Sequence, residues 1–258
     1  MSARVVTRIC CTPIKGLRVQ EPSEILLDEG GAVGDREFLL VDNDNGVKSV
    51  TLVGGLLRMS ADYDVDTKRL SVVCDDGRAC DGIVELGDPL LVDYLGMKSI
   101  QTHEVHGPWS ALISRMAGQP LRLAKVDTPG HGSDLAPVSL LGEGSLEELA
   151  RRSGLGPIDA RRFRMLLHFG PSTPHEEDDW NGQTISVGEV RMRVGGTIPR
   201  CAATTRDPEA GKRDSPIVKA IRDYRGVQPT GWGDGVPFGV YAEVVQGGRV
   251  RIGDPVEL

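Results

Sequence analysis

Apolar positions in this chain come in short runs separated by turn residues, not in the three-four spacing of long helices. Val5–Cys10 is β-branched and apolar, and Thr12-Pro13 stops it. Glu24–Leu27 is a second candidate strand, ended by Asp28-Glu29-Gly30-Gly31. Glu37–Asp42 reads as a buried strand, and Asn43-Asp44-Asn45-Gly46 as a hairpin turn, because Asn-Gly tolerates the positive φ that tight hairpins need. Leu70–Val73 and Ile83–Leu86 continue the pattern, and Val240–Val245, Gly247-Gly248 and Arg249–Ile252 read as a closing hairpin.

Helical signals are few. Trp109–Met116 follows Pro108 and stops at Gly118. Ser145-Leu-Glu-Glu148 has the form of a capping box, Ser145 accepting from the first turn and Glu148 reaching back, so a helix should run to about Arg152 and end before Gly154. Ser215-Pro216 offers an N-cap and a first-turn proline for a helix over Pro216–Tyr224 that ends near Gly226. Before a soft boundary between Asp88 and Gly107 the chain is almost all strand, and after it helices and strands mix. The expected class is β-rich α+β with a few short helices.

Composition sharpens this. The chain has 258 residues, with 33 glycines and 16 prolines, so turns must be frequent and a β-rich body of short strands is favoured over a helical bundle. A hydrophobic share of 39% and a charged share of 26% suit a globular chain and rule out wholesale disorder. A formal net charge of −7 argues against general nucleic-acid binding, while a local basic pocket stays open. The five cysteines (10, 11, 74, 80 and 201) are odd in number and have no C-x-x-C spacing, which points to a reduced, cytoplasmic chain. The N-terminus lacks the apolar core of a signal peptide, and no apolar run approaches a membrane span, so no membrane partner is expected.

Several candidate motifs weaken on inspection. His103-x-x-His106 has no third ligand at familiar spacing, His175-Glu-Glu-Asp-Asp179 reads as a solvated acidic loop, and Gly231-Trp-Gly-Asp-Gly235 neither follows a strand nor opens a helix as a phosphate loop does. Cys201 is different. It lies between Arg200 and Arg206 in a loop, where fixed cations favour the thiolate, the form that acts as nucleophile or soft metal ligand. Lys15, Arg36 and the Arg161-Arg-Phe-Arg164 group stand at sharp turns, a placement that suits a phosphorylated ligand.

Taken in order, Pro13-Ile-Lys15, Gly34-Asp-Arg36, Leu141-Gly-Glu-Gly-Ser-Leu146, Arg162-Phe-Arg164, Glu177-Asp-Asp-Trp180, Arg200-Cys201 with Thr204-Thr-Arg-Asp-Pro208, Tyr224-Arg225, Phe238-Gly-Val-Tyr241 and Gly253-Asp-Pro-Val256 resemble the MOSC family, named for the C-terminal domain of molybdenum cofactor sulfurase. Within it the chain is most similar to amidoxime-reducing components and their bacterial YcbX-type relatives. The resemblance implies an N-terminal MOSC β-barrel-like domain (1–95) followed by a MOSC β-barrel domain (96–258), and a molybdopterin cofactor or a cysteine persulfide. By motif match Cys201 would be the molybdenum ligand or sulfur carrier. Lys15, Arg36 and Arg164 would hold the phosphate and pterin. Ser139, Arg200, Thr204 and Asp207 are further cofactor-binding candidates, Asp207 through the turn below Cys201, while Trp180 would be a packing residue. Two positions depart from the reductase pattern: Met165-Leu166 stands where relatives carry Pro-Asn, and Ile198 where a second cysteine is common.

The resemblance implies a molybdenum-dependent reductase of N-hydroxylated or N-oxide small molecules. The five cysteines do not make a ferredoxin pattern and no Rossmann fingerprint is visible, so a separate electron-transfer protein is expected. The alternatives are a sulfurtransferase, with a sulfur donor and a persulfide on Cys201, and a non-catalytic cofactor-binding module. Pyridoxal phosphate is not expected, since no length remains for its domain.

Overall fold

The structure, a computed structural model, describes residues 3–230 and 232–258. Strand accounts for 44% of it and helix for 18%, which places the chain in the β-rich class expected.

Two β bodies divide the core. The larger is a seven-stranded sheet, in spatial order Val5–Ile9, Leu167–Gly170, Val138–Gly142, Pro237–Gln246, Val190–Pro199, Thr184–Val187 and Val256–Glu257. Its neighbours run antiparallel except Val138–Gly142 beside Leu167–Gly170. A bridge between Val5 and Pro255 brings the first and last strands together, so the sheet curls into a nearly closed barrel. Alternate residues point inward and fill it with aliphatic side chains such as Ile9, Leu140, Met192 and Val240.

The second body joins Val47–Lys48, Phe38–Val41, Arg122–Val126, Lys98–His106 and Glu85–Tyr94 in one sheet, with a three-stranded sheet of Met59–Asp64, Arg69–Cys74 and Ala79–Ile83 packed against it. The turn at 95–97, where the sequence divides the chain, joins two strands of this sheet, and its cores draw on residues as far along as Val126. Ile83–Leu86 is not one strand, since it spans the junction between Ala79–Ile83 and Glu85–Tyr94.

Among the described residues there are three α-helices: α1 (Trp109–Ala117), α2 (Glu143–Ser153) and α3 (Ile217–Arg225). Gly118 and Gly154 end α1 and α2 in the left-handed conformation, as the glycines in the sequence predict. The starts of α2 and α3 differ from expectation. α2 begins at Glu143 with Gly142 as its cap, so Ser145 is already inside the helix and buried. Its hydroxyl donates to Glu177 and accepts from the His175 backbone N–H, while Glu148 binds Arg151 and Arg152. No capping box forms, because a buried carboxylate competes for the serine. At α3 the cap is Pro216, without a side-chain bond from Ser215.

Two further expectations are overturned. The acidic run at 175–179 is not a solvated loop: Glu176–Trp180 is a 3-10 turn with Glu177 fully buried and Trp180 packed on Phe169. The packing role expected of Trp180 holds. The closing hairpin does not form either. Pro237–Gln246 stays in the barrel, whereas Gly248–Arg251 pairs with Glu24–Asp28. Gly247 passes so close to the Leu27 carbonyl that a Cβ there would lie 2.6 Å from it, which sends the chain across to that strand.

Candidate cofactor cavity

A cavity of about 430 Å³ opens between the two bodies. Tight turns deliver most of its charged groups. Lys15 follows a bridge from Ile14 to Phe38, and its N–H donates to the Phe38 carbonyl. Arg36 and Arg164 both stand at positive φ, 51° and 56°, which turns each side chain out of its strand or 3-10 turn and into the cavity. Arg36 then donates to the Arg164 carbonyl at 2.8 Å, tying the two bodies together beneath the cavity. Arg200 ends the strand Val190–Pro199, and Cys201, exposed, caps the 3-10 turn Ala202–Thr205.

Of the residues singled out in the sequence, Lys15, Arg36, Ser139, Arg164, Arg200 and Cys201 all line this one cavity. Thr204 and Asp207 do not. Thr204 is buried and its hydroxyl donates to the Cys201 carbonyl at 3.1 Å, while Asp207 accepts from the Glu209 and Ala210 amides and closes the turn beyond it. Both shape the loop that presents the cysteine. Ser139 faces the cavity with its hydroxyl accepting from the Leu166 amide at 2.9 Å. The Leu166 side chain lies in the barrel core, away from the cavity, whereas Ile198 forms part of its apolar wall.

Asp134, Tyr94 and Thr51, none of them singled out in the sequence, also line the site, as does Tyr241 from the Phe238-Gly-Val-Tyr241 segment. Asp134 accepts from Lys15 at 2.5 Å and from the Tyr94 hydroxyl. Lys15 and Lys98 lie 5.2 and 4.9 Å from the Tyr94 ring centre, so the ring is flanked by cations. No local pattern marks Asp134, Tyr94 or Thr51, because a strand end, a loop and a turn far apart in the chain meet only in the folded molecule. Trp232, exposed at the cavity mouth, belongs to the glycine-rich segment noted above; it sits in the turn between Gln228–Thr230 and Gly233–Gly235, and Gly231 lies outside the described residues.

The electrostatics are unbalanced in one direction. Burial, offset in part by Asp134, lowers the pKa of Lys15. Burial followed by the charge of Arg36 pushes Arg164 down to about 10. Arg200 is lowered by burial. Burial opposes the charge on Arg36 too, but Asp35 overrides it and holds the guanidinium above its usual value. Burial also opposes ionisation of Asp134, yet Lys15 and the Tyr94 hydroxyl keep its carboxyl low, and Tyr94 is pushed up by burial and by that carboxylate. Arg164 and Arg200 have no carboxylate partner among the described residues, and Nη2 of Arg164 and Nε of Arg200 are buried without any hydrogen bond. Such groups are costly to leave unpaired, and both side chains line the cavity, where an anion would offset their charge. The residues present therefore fit a phosphate-bearing ligand, with a reachable sulfur at the cavity edge.

The His103-x-x-His106 pair is elsewhere: His103 Nδ1 lies 2.7 Å from Asp127, and no group of three or more metal-binding side chains gathers among the described residues. No helix of the described residues is long and apolar enough to cross a membrane.

The MOSC domain model matches residues 127–257. Mitochondrial amidoxime-reducing component 1 of Mus musculus is 32% identical over 130 residues, 49% of this chain and 37% of that protein. Molybdenum cofactor sulfurase of Caenorhabditis briggsae is 25% identical over 245 residues, 92% of this chain and 33% of that protein. The chain thus spans about a third of the length of these relatives. Among solved structures, the YUAD protein from Bacillus subtilis matches with a TM-score of 0.44 and 10% identity, covering 100% of this chain and 97% of its own.

Proposed function

The chain belongs to the MOSC family, and from that premise we infer that it binds a molybdopterin-type molybdenum cofactor in the cavity between its two bodies and reduces N-hydroxylated or N-oxide small molecules with electrons from a separate protein. The observation that carries the reading is the convergence of Lys15, Arg36, Arg164 and Arg200 on one cavity whose edge holds Cys201. Molybdenum would supply the redox change, being able to take up electrons and then accept oxygen from the substrate. The chain's own part is binding and orientation. Arg164 and Arg200, lining the cavity without a carboxylate partner among the described residues, would hold the anionic cofactor, with Lys15 and Arg36 adding charge from the second body. Cys201 would ligate the metal through sulfur. Thr204 and Asp207 hold the loop that presents it, and the Ile198 and Met165 side chains form an apolar wall that limits water.

A second reading, sulfur transfer, is favoured by one observation: Cys201 is exposed, so a donor protein could reach it to place sulfane sulfur there. The same arginines would then steady the persulfide anion. Molybdenum and pterin content of protein from a cofactor-making host, beside Cys201→Ala, separates the two. Near-stoichiometric molybdenum that the variant loses supports the reductase. A well-folded protein with neither metal nor pterin overturns it, and a persulfide on Cys201 found by mass spectrometry then establishes sulfur transfer.

A further inference from the structure

Cys201 lies on a loop of the C-terminal body, yet its sulfur has a side-chain partner from the other half of the chain. Thr51 Oγ1 is 3.4 Å from Cys201 Sγ. Thr51 sits in a tight turn in which the Leu52 and Val53 amides both bond the Ser49 carbonyl. Its own carbonyl accepts from Arg206 Nη2 at 3.2 Å, and Nη1 of the same arginine donates to the Gly211 carbonyl at 2.8 Å. Below this, Gly54 and Gly211 meet backbone to backbone: a Cβ on Gly54 would lie 2.2 Å from the Gly211 carbonyl oxygen. The turn and the cysteine loop are locked together, and the Thr51 hydroxyl is aimed at the sulfur.

We propose that Thr51 is a positioning residue for Cys201: its hydroxyl donates to the ionised sulfur and holds it in the rotamer facing the cavity, while Arg206 holds Thr51. This rests on Cys201 being the working sulfur of the cavity, as metal ligand or sulfur carrier. A donor at the sulfur draws charge away from it, which lowers its nucleophilicity and, on a bound metal, raises the reduction potential.

Thr51→Val keeps the shape and removes the hydroxyl; Thr51→Ser keeps the hydroxyl. In cofactor-free protein, at a pH where the thiol is fully ionised, alkylation of Cys201 by iodoacetamide is followed by mass spectrometry. Thr51→Val should react roughly threefold faster, in keeping with the loss of one hydrogen bond, and Thr51→Ser at the wild-type rate. Equal rates in all three proteins, or a serine variant as fast as the valine one, overturn the proposal. Arg206→Leu supplies an independent check should Thr51→Val fail to fold: releasing the Thr51 carbonyl should also accelerate alkylation, and an unchanged rate counts against the proposal. In molybdenum-loaded protein the potential should fall in Thr51→Val and recover in Thr51→Ser. A wild type that holds no molybdenum defeats the cofactor reading alone, since the alkylation rates still decide the role of Thr51.

Discussion

Arg164 shows how much one residue can contribute. It is held at a φ of 56° that L residues rarely adopt, it is half-buried, and one of its guanidinium nitrogens is buried with no partner. Such an arrangement costs stability, and under the proposed function an anionic ligand would offset that cost. Arg164→Met should therefore leave the cofactor-free protein as stable as the wild type or more so. It should weaken cofactor binding by about tenfold or more, as loss of a charge-assisted hydrogen bond implies. Thermal melting and calorimetric titration with the cofactor check the two halves, and a variant that melts lower while binding equally well would contradict the assignment. At this scale the sequence was informative wherever a residue type and a turn coincide. Cys201 between arginines, and Lys15, Arg36 and Arg164 at turns, were recognisable. Asp134 and Tyr94 were not, because each is an ordinary residue until the Lys15 ammonium arrives beside it.

At the scale of elements, the 3-10 turn Glu176–Trp180 is the clearest departure from local pattern. Burial raises the Glu177 carboxyl from 4.5 to about 7, against the stabilising bond from the Ser145 hydroxyl. Because the folded pKa lies above the unfolded one, the folded state holds the extra proton between them. This contribution to stability is present in full below about pH 4.5 and is lost as pH rises to about 7. Glu177→Gln removes the titration, so wild type should lose about 2.5 kcal/mol relative to the variant between pH 5 and 8. Urea unfolding of both proteins across that range is the check, and parallel curves would rule the account out. The acidic run read as solvated because four consecutive carboxylates usually are. What overrides this is the serine inside α2, which accepts one backbone donor and gives its own proton to the buried oxygen. Helix ends were easier to read, since Gly118 and Gly154 act through their own backbone freedom.

Across the whole molecule, the cavity exists only because two β bodies meet. Their contact depends on places where side chains are absent. Gly54→Ala would set a Cβ 2.2 Å from the Gly211 carbonyl oxygen and 2.3 Å from Arg206 Nη1. Overpacking of this kind should cost about 1–3 kcal/mol. It should also loosen the loop bearing Cys201, seen as a lower melting temperature together with faster alkylation of the thiol in cofactor-free protein. An alanine variant that melts like the wild type and alkylates at the same rate would mean that the contact does not hold the loop.

The chain by itself determined what short-range physics decides. Alternating apolar runs broken by glycine made the β-rich class legible, glycines marked where helices stop, and cations at turns marked the residues that face the cavity. The tertiary structure alone decided which strands pair, and so sent Gly248–Arg251 to Glu24–Asp28 instead of back along its neighbour. It also decided which carboxylates are buried, and which threonine, 150 residues away in the chain, meets the sulfur of Cys201. Turns and caps depend on a few adjacent residues, whereas pairing, burial and the meeting of two bodies depend on the free energy of the whole packed chain, which no local window contains.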